Sequence, residues 1–183
     1  MLFDSIRNRL GPDSVTTTGL RLAAVAIIVR DKSSPSVLMI KRAERKGDPW
    51  SGQVAFPGGK MQEGDASARA TAARETYEEV GIDLESAADF LGYAQSMVTH
   101  TGTMEVVPAV FLLRGQVRVK PNEEVASHRW IKLDRMLAPG SRSVYPLNRE
   151  GVELSMPAYS VEGYVVWGLT YRIVSTLAGS PGA

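Results

Sequence analysis

The sequence predicts an α/β domain in which buried strands alternate with helices around one core. Residues 22–30 form an apolar run followed by turn-forming residues, which is typical of a buried strand. Residues 66–80 contain neither Pro nor Gly and consist mostly of strong helix formers. The chain has 183 residues, a length that suits a single domain (residues 1–183) with a sizeable core.

Composition excludes several classes of protein and of site. The chain is 44% apolar and 22% charged, with a formal net charge of +1, which argues against bulk nucleic-acid binding. It contains no cysteine, so disulfides, Cys-ligated zinc and thiol nucleophiles are excluded. The longest apolar runs, residues 22–29 and 106–113, are too short to cross a membrane. The segment that begins at Leu2 is too mixed in polarity for a signal peptide, and we expect a cytoplasmic protein.

The first part of the chain is predicted to contain a helix, a linker and a β-hairpin. Leu2, Phe3 and Ile6 recur at helical spacing, which predicts a short helix that ends near Gly11. Residues 15–19 are predicted to be a linker, so that residues 1–19 precede the main domain. The hairpin is expected to consist of strands at 22–30 and 37–41 joined by a turn at 31–36, with an irregular loop at 46–51.

The central helix is predicted at residues 66–80. Asp65 or Ser67 is suited to cap its start, and Gly81 stands where a helix commonly ends. Apolar residues recur within it at spacings of four and three, which predicts one stripe facing the core. The residues of this predicted stripe are Ala66, Ala70, Ala73, Tyr77 and Val80.

The second half of the chain is predicted to add strands, a helical turn and a closing helix. Strands are expected at 89–97, 104–113, 126–133 and 152–159, a helical turn at 134–137, a loop at 138–143, a closing helix at 164–177 and a frayed tail at 178–183. On the closing helix, Trp167 is expected to pack in the core rather than to form a platform for a substrate.

The end of the central helix carries the wrong charge for a purely structural helix. Glu75, Glu78 and Glu79 lie at its C-terminal end, where the helix dipole favours cations, and on an arc turned away from the predicted stripe. Each of these carboxylates should cost about 0.3–1 kcal/mol. A local rule broken without compensation points to a functional site. The alternative is a solvated acidic face in which Arg74 pairs with Glu78.

The loop before this helix favours a metal site. A short apolar strand runs into Pro57, Gly58 and Gly59, where the absence of a Cβ lets the backbone approach a ligand closely. Backbone carbonyls in such a loop, beside three carboxylates, form a site made of oxygen atoms. Hard divalent cations such as Mg²⁺ or Mn²⁺ prefer that kind of site.

These residues resemble the sequence motif of the Nudix hydrolases. Two departures from the motif are visible: Asp65 stands where the family has an early Glu and is separated from Arg74 by eight residues rather than seven, and Thr76 replaces an apolar residue. The residues that match the motif are Gly59, Arg74, Glu75, Glu78, Glu79, Gly81 and Ile82.

The resemblance implies a fold and a reaction. The fold is an α/β/α sandwich with a mixed central sheet, and the reaction is the Mg²⁺- or Mn²⁺-dependent hydrolysis of a nucleoside diphosphate linked to another group. Glu75 and Glu79 are the expected principal metal ligands, and the carbonyl of Gly58 completes the coordination. Glu78 is expected to be a third ligand or the group that accepts a proton from the attacking water, and Arg74 to orient the glutamates.

Further segments resemble the coenzyme A diphosphatase subgroup of that family. Residues 38–43, 52–59, 107–110, 122–125 and 164–172 carry this likeness, although residues 44–51 lack the usual placement of Arg. The implied substrate is coenzyme A or an acyl derivative, cleaved to 3′,5′-ADP and 4′-phosphopantetheine. The alternatives are a hydrolase of ADP-ribose, nucleotide sugars or nucleoside triphosphates, and a non-catalytic sensor that binds a nucleotide. The intact glutamate set weighs against the sensor.

Several residues outside the motif are candidates for the same site. Glu123 and Glu124 are either a further catalytic base or two solvated charges. Arg42 and Arg45, in a basic cluster, either bind an extra phosphate of the substrate or are simply solvated. Lys60 and His100 are also predicted to bind substrate, whereas His128 is expected to be structural. The expected partners are a small nucleotide substrate and, as an option, a second copy of the chain in a homodimer.

Overall fold

A mixed eight-stranded sheet forms the centre of the chain in the computed structural model, which describes residues 2–12, 19–47, 50–149 and 151–179. Its strands are β1 (Arg21–Arg30), β2 (Ser36–Arg42), β3 (Val54–Ala55), β4 (Gly58–Lys60), β5 (Ala88–Tyr93), β6 (Met97–Val98), β7 (Met104–Leu113) and β8 (Val125–Lys132). The path runs β3-β2-β1-β7-β5, with β4 beside β1, β6 beside β7 and β8 beside β2. β1 pairs in parallel with β7, whereas the other pairs are antiparallel.

Helices and a smaller sheet cover the two faces of this central sheet. The elements that complete the chain are α1 (Leu2–Arg7), α2 (Ala68–Val80), α3 (Leu84–Ala87), α4 (Leu133–Met136), a 3-10 helix (Pro139–Ser141), β9 (Arg142–Arg149), β10 (Val152–Val161), β11 (Tyr164–Trp167) and α5 (Gly168–Leu177). β9, β10 and β11 form a three-stranded antiparallel sheet in the order β11-β10-β9.

Alternating side chains of β1 divide the core into two halves. Ala24, Ala26 and Ile28 belong to the half that contains residues of α2 and α3. Ile27 and Val29 belong to the half that contains residues of α1, α4, α5 and the small sheet. This period of two is what a strand buried on both faces requires. The predicted α/β/α sandwich with a mixed central sheet is confirmed, and no helix of the described residues could span a membrane.

The first predicted elements agree with the structure where it describes them. The N-terminal helix and the β1–β2 hairpin lie where the periodicity predicts them. The predicted linker lies almost wholly outside the described residues, as do positions 48 and 49 of the predicted loop and positions 180–183 of the predicted tail. Their predictions therefore remain expectations.

The C-terminal prediction is partly wrong. Residues 164–167 form strand β11, and the closing helix begins only at Gly168. In this strand Tyr164 and Val166 are buried while Val165 is exposed, so its burial has a period of two. Residues 142–149 form a strand that the sequence analysis missed, because Pro146 and the mixed polarity obscure its alternation. Trp167 is half-buried, and its ring stacks on that of Tyr145 with centroids 4.2 Å apart.

The predicted apolar stripe of α2 is partly wrong, since Val80 is buried and Ala73 packs against the core but Ala66 and Tyr77 are exposed, whereas both caps are confirmed. The hydroxyl of Ser67 accepts a hydrogen bond from the N–H of Ala70, and Gly81 closes the helix with a φ of 68°. Tyr77 is 62% exposed and lies outside the packed face. The buried face of the helix instead consists of Ala68, Thr71, Ala72, Thr76, Glu79 and Val80.

Small side chains explain this choice of face. Ala68 and Ala72 belong to the same core half as Ala24 and Ala26 of β1, so helix and sheet can approach closely. The hydroxyl of Thr76 donates to the carbonyl of Ala72 at 2.7 Å and is thereby satisfied within the core. The consequence is that the side chain of a glutamate in the last turn, Glu79, enters the protein instead of facing solvent.

Candidate active site

The loop before α2 lies against β1 and brings two glycines under the helix. β4 pairs with β1 so that Gly58 lies opposite Val25 and Gly59 opposite Ala24. A Cβ on Gly58 would lie 2.3 Å from the carbonyl oxygen of Ala24, and a Cβ on Gly59 would lie 2.5 Å from the carboxyl carbon of Glu75. Gly58 therefore cannot take a side chain without a shift of the β1 backbone, whereas a Cβ at Gly59 would displace the carboxylate of Glu75, which lies directly on the backbone of the loop.

Glu79 is a buried carboxylate with one backbone donor. Its side chain is 3% exposed, and its Oε2 accepts a hydrogen bond of 2.9 Å from the N–H of Gly58. Nη1 of Arg42 lies 3.8 Å from its Oε1. Burial raises the pKa of Glu79 to about 7, because the hydrogen bond and Arg42 only partly replace the lost hydration. The prediction that Glu79 faces away from the core is wrong.

Arg74 connects the acidic residues of the site to the loop. Its Nε and Nη2 donate to the two carboxylate oxygens of Asp65 at 3.0 and 2.9 Å. Its Nη1 donates to Glu75 at 2.9 Å and to Glu78 at 3.2 Å. Nη2 also donates to the carbonyl of Lys60 at 3.1 Å. One guanidinium thus contacts three carboxylates and the loop backbone, as its fork of five donors permits.

Asp65 is fully engaged in holding Arg74. Besides the two bonds from the guanidinium, its Oδ2 accepts from the N–H of Gln62 and from the hydroxyl of Thr71, both at 2.9 Å. The hydrogen bonds from Arg74 hold the pKa of Asp65 well below its usual range. The same hydrogen bonds raise the pKa of Arg74 above its usual value. The acid that replaces the early Glu of the motif is therefore an anchor for Arg74 in this chain.

The three glutamates do not converge on one point. Glu75 is half-buried, and burial raises its pKa despite the hydrogen bond from Arg74. Glu78 is 52% exposed and turns toward Arg74. Nowhere in the described ranges do three Asp, Glu or His side chains come together as a ready metal cluster. Glu75 and Glu78 share Nη1 of Arg74, whereas Glu79 is held by the N–H of Gly58 and lies beside Arg42.

The chemistry of these donors nevertheless fits a hard divalent cation. Glu75 and Glu79 both lie against the Gly58–Gly59 backbone, where carboxylate and carbonyl oxygens are available side by side. The negative charge of Glu124 contributes to raising the pKa of both glutamates. The carboxylates of this region therefore repel one another even though arginines lie beside them, and a cation would relieve that repulsion.

A second rim of the site is formed where β2 ends and β8 begins. Arg42 lies opposite Val125, and Nη1 of Arg45 donates to Glu124 at 2.9 Å. Nη2 of Arg45 lies 3.6 Å from Glu123, whose side chain is 91% exposed. Arg42 and Glu124 are thus close enough to Glu79 to influence its pKa, and Arg45 is joined to them through Glu124, whereas Glu123 belongs to the outer surface.

The remaining predicted residues lie farther out. Lys60 is exposed at the end of β4, and its contact with Arg74 is made by its backbone carbonyl. His100 is exposed in the turn between β6 and β7, and it makes no hydrogen bond or ion pair with the described site residues. His128 is half-buried in β8 opposite Ile40, which is consistent with a structural residue.

The contact between the end of α2 and the segment before β8 could not be predicted from the sequence. The N–H groups of Lys120 and Asn122 donate to the carbonyls of Val80 and Glu79 at 2.8 and 2.9 Å. These bonds satisfy the C-terminal end of α2 and bring the segment before β8 against it. The position of Glu124 beside the glutamates follows from that contact. Only the polar turn at 121–124 hints at it, and polar turns are common.

Comparisons with known proteins identify the family of this chain. The NUDIX domain family matches residues 20–148. An uncharacterised Nudix hydrolase called NudL, from Citrobacter koseri, is 35% identical over 163 residues, which cover 88% of this chain and 83% of its own length. A NudL from Yersinia pestis is 35% identical over 159 residues, which cover 86% of this chain and 78% of its own.

Solved structures agree in fold. An Ap4A hydrolase from C. elegans, solved as a binary complex, has a TM-score of 0.51 and 19% identity over 61% of this chain and 80% of its own. A MutT protein from Methanosarcina mazei has a TM-score of 0.50 and 25% identity over 67% of this chain and 84% of its own. The family match and the NudL relatives show that this chain belongs to the Nudix hydrolases, the enzymes that cleave diphosphate linkages.

Proposed function

We propose that the chain is a divalent-metal-dependent diphosphatase that cleaves coenzyme A or an acyl-coenzyme A. The products would be 3′,5′-ADP and 4′-phosphopantetheine or its acyl form. The observation that carries this proposal is the pair of arginines on one rim of the site, Arg42 beside Glu79 of the Nudix helix and Arg45 beside Glu124. Cations at that place suit a substrate with a phosphate in addition to its diphosphate.

Glu75 and Glu79, with the carbonyl of Gly58, are the proposed ligands of Mg²⁺ or Mn²⁺. A bound divalent ion neutralises the diphosphate and makes a water molecule more acidic. The elevated pKa of Glu79 supports this assignment, because a buried carboxylate with an incomplete set of partners gains most from a neighbouring cation. Glu78 is proposed as a further ligand or as the group that takes the proton of the attacking water.

The other residues have supporting roles in this proposal. Arg74 fixes the directions of Glu75 and Glu78 while Asp65 fixes Arg74. Glu124, which is paired with Arg45, is the second candidate for a general base. Glu123, Lys60 and His100 are proposed to act at the periphery of the site, because their side chains are exposed.

The substrate can be tested directly by product analysis. Purified protein is incubated with coenzyme A, acetyl-coenzyme A, ADP-ribose, a nucleotide sugar and nucleoside triphosphates, each with Mg²⁺ or Mn²⁺, and products are identified by mass. We expect 3′,5′-ADP from the coenzyme A compounds at the highest efficiency. Higher efficiency on ADP-ribose would identify ADP-ribose as the substrate in place of coenzyme A. Binding of nucleotides without turnover would favour a non-catalytic sensor. A cytoplasmic location is proposed on the sequence evidence alone.

A further inference from the structure

A second cleft lies at the opposite end of β1 from the glutamates. Gly58 lies beside Val25, whereas the cleft surrounds Arg30, about 17 Å farther along the strand at 3.3 Å per residue. Its volume is about 690 Å³, a size at which small-molecule sites are common. Its polar and aromatic lining includes Arg30, Asp31, Ser36, Arg114, Trp130 and Lys132.

The register of three neighbouring strands places two cationic side chains on either side of a serine. Arg30 of β1 lies opposite Ser36 of β2, and Ser36 lies opposite Lys132 of β8. Directly opposed residues on neighbouring strands point to the same face, and two strand spacings amount to about 10 Å. The long side chains of Arg30 and Lys132 can therefore reach a single anion held between them above Ser36.

Most of the positive charge of this cleft is uncompensated. Within the described ranges, neither Arg30 nor Lys132 forms an ion pair, and Lys132 only weakly influences the pKa of Asp31. The carboxylate of Asp31 is committed to its own turn, because Oδ1 accepts from the N–H and the hydroxyl of Ser33 at 3.0 and 2.6 Å.

The third cation of the lining is already held. Nη2 of Arg114 donates to the carbonyl of Ala88 at 2.9 Å, and Nε lies 3.4 Å from Asp89. Arg114 is therefore a fixed part of the wall, and Arg30 and Lys132 remain as the two cations available to a ligand.

An apolar wall stands beside these two cations. The guanidinium carbon of Arg30 lies 4.5 Å from the ring centroid of Trp130. This stacking holds the guanidinium against the ring while its N–H groups stay free to take an oxyanion. Leu113 and Val117 line the same cleft and, like Trp130, pack against the core half beneath α2.

We propose that this cleft is a second ligand site, which takes a phosphate monoester attached to a planar or apolar group. The phosphate binds between Arg30 and Lys132, and the attached group lies along Trp130, Leu113 and Val117. The proposal is independent of the substrate of the Nudix centre, since the two sites share no residue. It gives the protein a place where a small nucleotide or a similar compound binds apart from the reaction.

The test uses the full chain, with AMP, adenosine and inorganic phosphate as probes. Titrations are followed by calorimetry and by the indole N–H signal of Trp130 in NMR, with a chelator present. We expect AMP to shift the Trp130 signal and to bind at least tenfold more tightly than adenosine or phosphate alone. Replacing both cations, Arg30→Gln with Lys132→Gln, should weaken AMP binding at least tenfold. Arg45→Gln and the exposed control Lys32→Gln should leave it unchanged.

Three results would overturn the proposal. AMP binding that survives the double substitution, or that disappears in Arg45→Gln, would assign the binding to the Nudix centre. Phosphate binding as tightly as AMP, with no change at Trp130, would mean that the apolar wall takes no part. Arg30 and Lys132 are exposed, so the double variant is expected to stay folded, and equal thermal melts would verify that.

Discussion

At the scale of single residues, Glu79 combines burial with a charge that the reaction needs. Its environment supplies one hydrogen bond and one distant guanidinium. A carboxylate placed there for packing alone would be replaced by an apolar residue at little cost. The proposed binding of a cation would explain the position, and that proposal has consequences for rate and for stability.

Replacing either principal glutamate should reduce turnover strongly. Glu75→Gln and Glu79→Gln each remove a charged ligand but keep the shape of the side chain, and we expect turnover to fall by at least about a hundredfold. Glu123→Gln is the matched control, because its side chain is 91% exposed, and its rate should stay within about threefold. Rates are measured at saturating Mg²⁺. Near-normal turnover in either helix variant would show that the assigned ligands are wrong.

The stability of the metal-free protein should fall as the pH rises from about 5 to 7. The pKa of Glu79 is about 7 in the folded chain and near its ordinary value of 4.5 in the unfolded chain. Between these values the unfolded chain releases the proton while the folded chain keeps it, so raising the pH favours unfolding. The difference corresponds to a loss on the order of 3 kcal/mol.

The measurement compares melts of the wild type and Glu79→Gln in chelator from pH 5 to 8. The variant cannot titrate at this position, so it should gain stability over the wild type as the pH rises. Working above pH 5 avoids the range in which Asp65, with its lowered pKa, would contribute. If the two proteins keep a constant difference across this range, the buried carboxylate does not control their stability.

At the scale of elements, the loop at 57–60 and α2 act as one unit. Gly59 allows the carboxylate of Glu75 to rest on the backbone, and the carbonyl of Lys60 accepts from Arg74. The N-cap at Ser67 and the C-cap at Gly81 fix the length of the helix between them. The positions of the carboxylates therefore depend on the path of the loop as much as on the helix itself.

One methyl group in this loop should disable the site. The Cβ introduced by Gly59→Ala would lie 2.5 Å from the carboxyl carbon of Glu75, so the carboxylate must move. We expect at least about a tenfold loss of kcat/KM, since misplacement by about an ångström has large effects on catalysis. Gly64→Ala is the matched control, because its Cβ would meet no atom within 4 Å. Equal activities of the two variants would show that Glu75 need not lie on this backbone.

How well each element could be predicted depended on how clear its apolar pattern is in the sequence. β1, β2 and β7 are apolar over nearly their whole length, and their bounds were predicted within a residue or two. The buried face of α2 was not predicted correctly, because alanines occur on several sides of the helix. Only the shape of the sheet decides which of these alanines pack against it. Tyr77 was assigned to the core on polarity, yet its size does not fit the close contact with β1.

The acidic residues of the site could be predicted from the sequence, but the contacts that hold the site together could not. The spacing of Glu75, Glu78 and Glu79 is a local pattern, which a sequence displays directly. The anchoring of Arg74 by Asp65 and the contact of Arg45 with Glu124 depend on how loops return to the helix. Such long-range contacts leave no periodic trace, so only the structure could supply them.

At the scale of the whole molecule, the candidate site is assembled from three separate stretches of chain. The loop and α2 supply the glutamates, β2 and the residues just after it supply Arg42 and Arg45, and the turn just before β8 supplies Glu124. β2 and β8 are neighbours in the central sheet, which holds these groups at fixed spacing. Such an arrangement can recognise a substrate that carries negative charge at two separate positions.

Loss of the 3′-phosphate should reduce efficiency if coenzyme A is the substrate. Dephospho-coenzyme A cannot make the contact proposed for Arg45, and kcat/KM should fall by roughly 10- to 150-fold. The preference should shrink in Arg45→Gln and persist in Arg118→Gln, which removes an exposed arginine elsewhere. Both substrates are compared in all three proteins. Equal efficiency of the wild type on the two compounds would show that the 3′-phosphate is not recognised.

The parallel pairing of β1 with β7 sets the order in which this protein can fold. Arg21 lies opposite Met104 and Val29 opposite Leu112, so the pairing joins segments roughly eighty residues apart. A ribosome must therefore release β7 before the inner edge of β1 has a partner, and until then the apolar strand is exposed. β1 also supports the loop that carries Gly58 and Gly59. Because Glu124 follows β7 in the chain, it can join the glutamates only after the partner strand of β1 has been released.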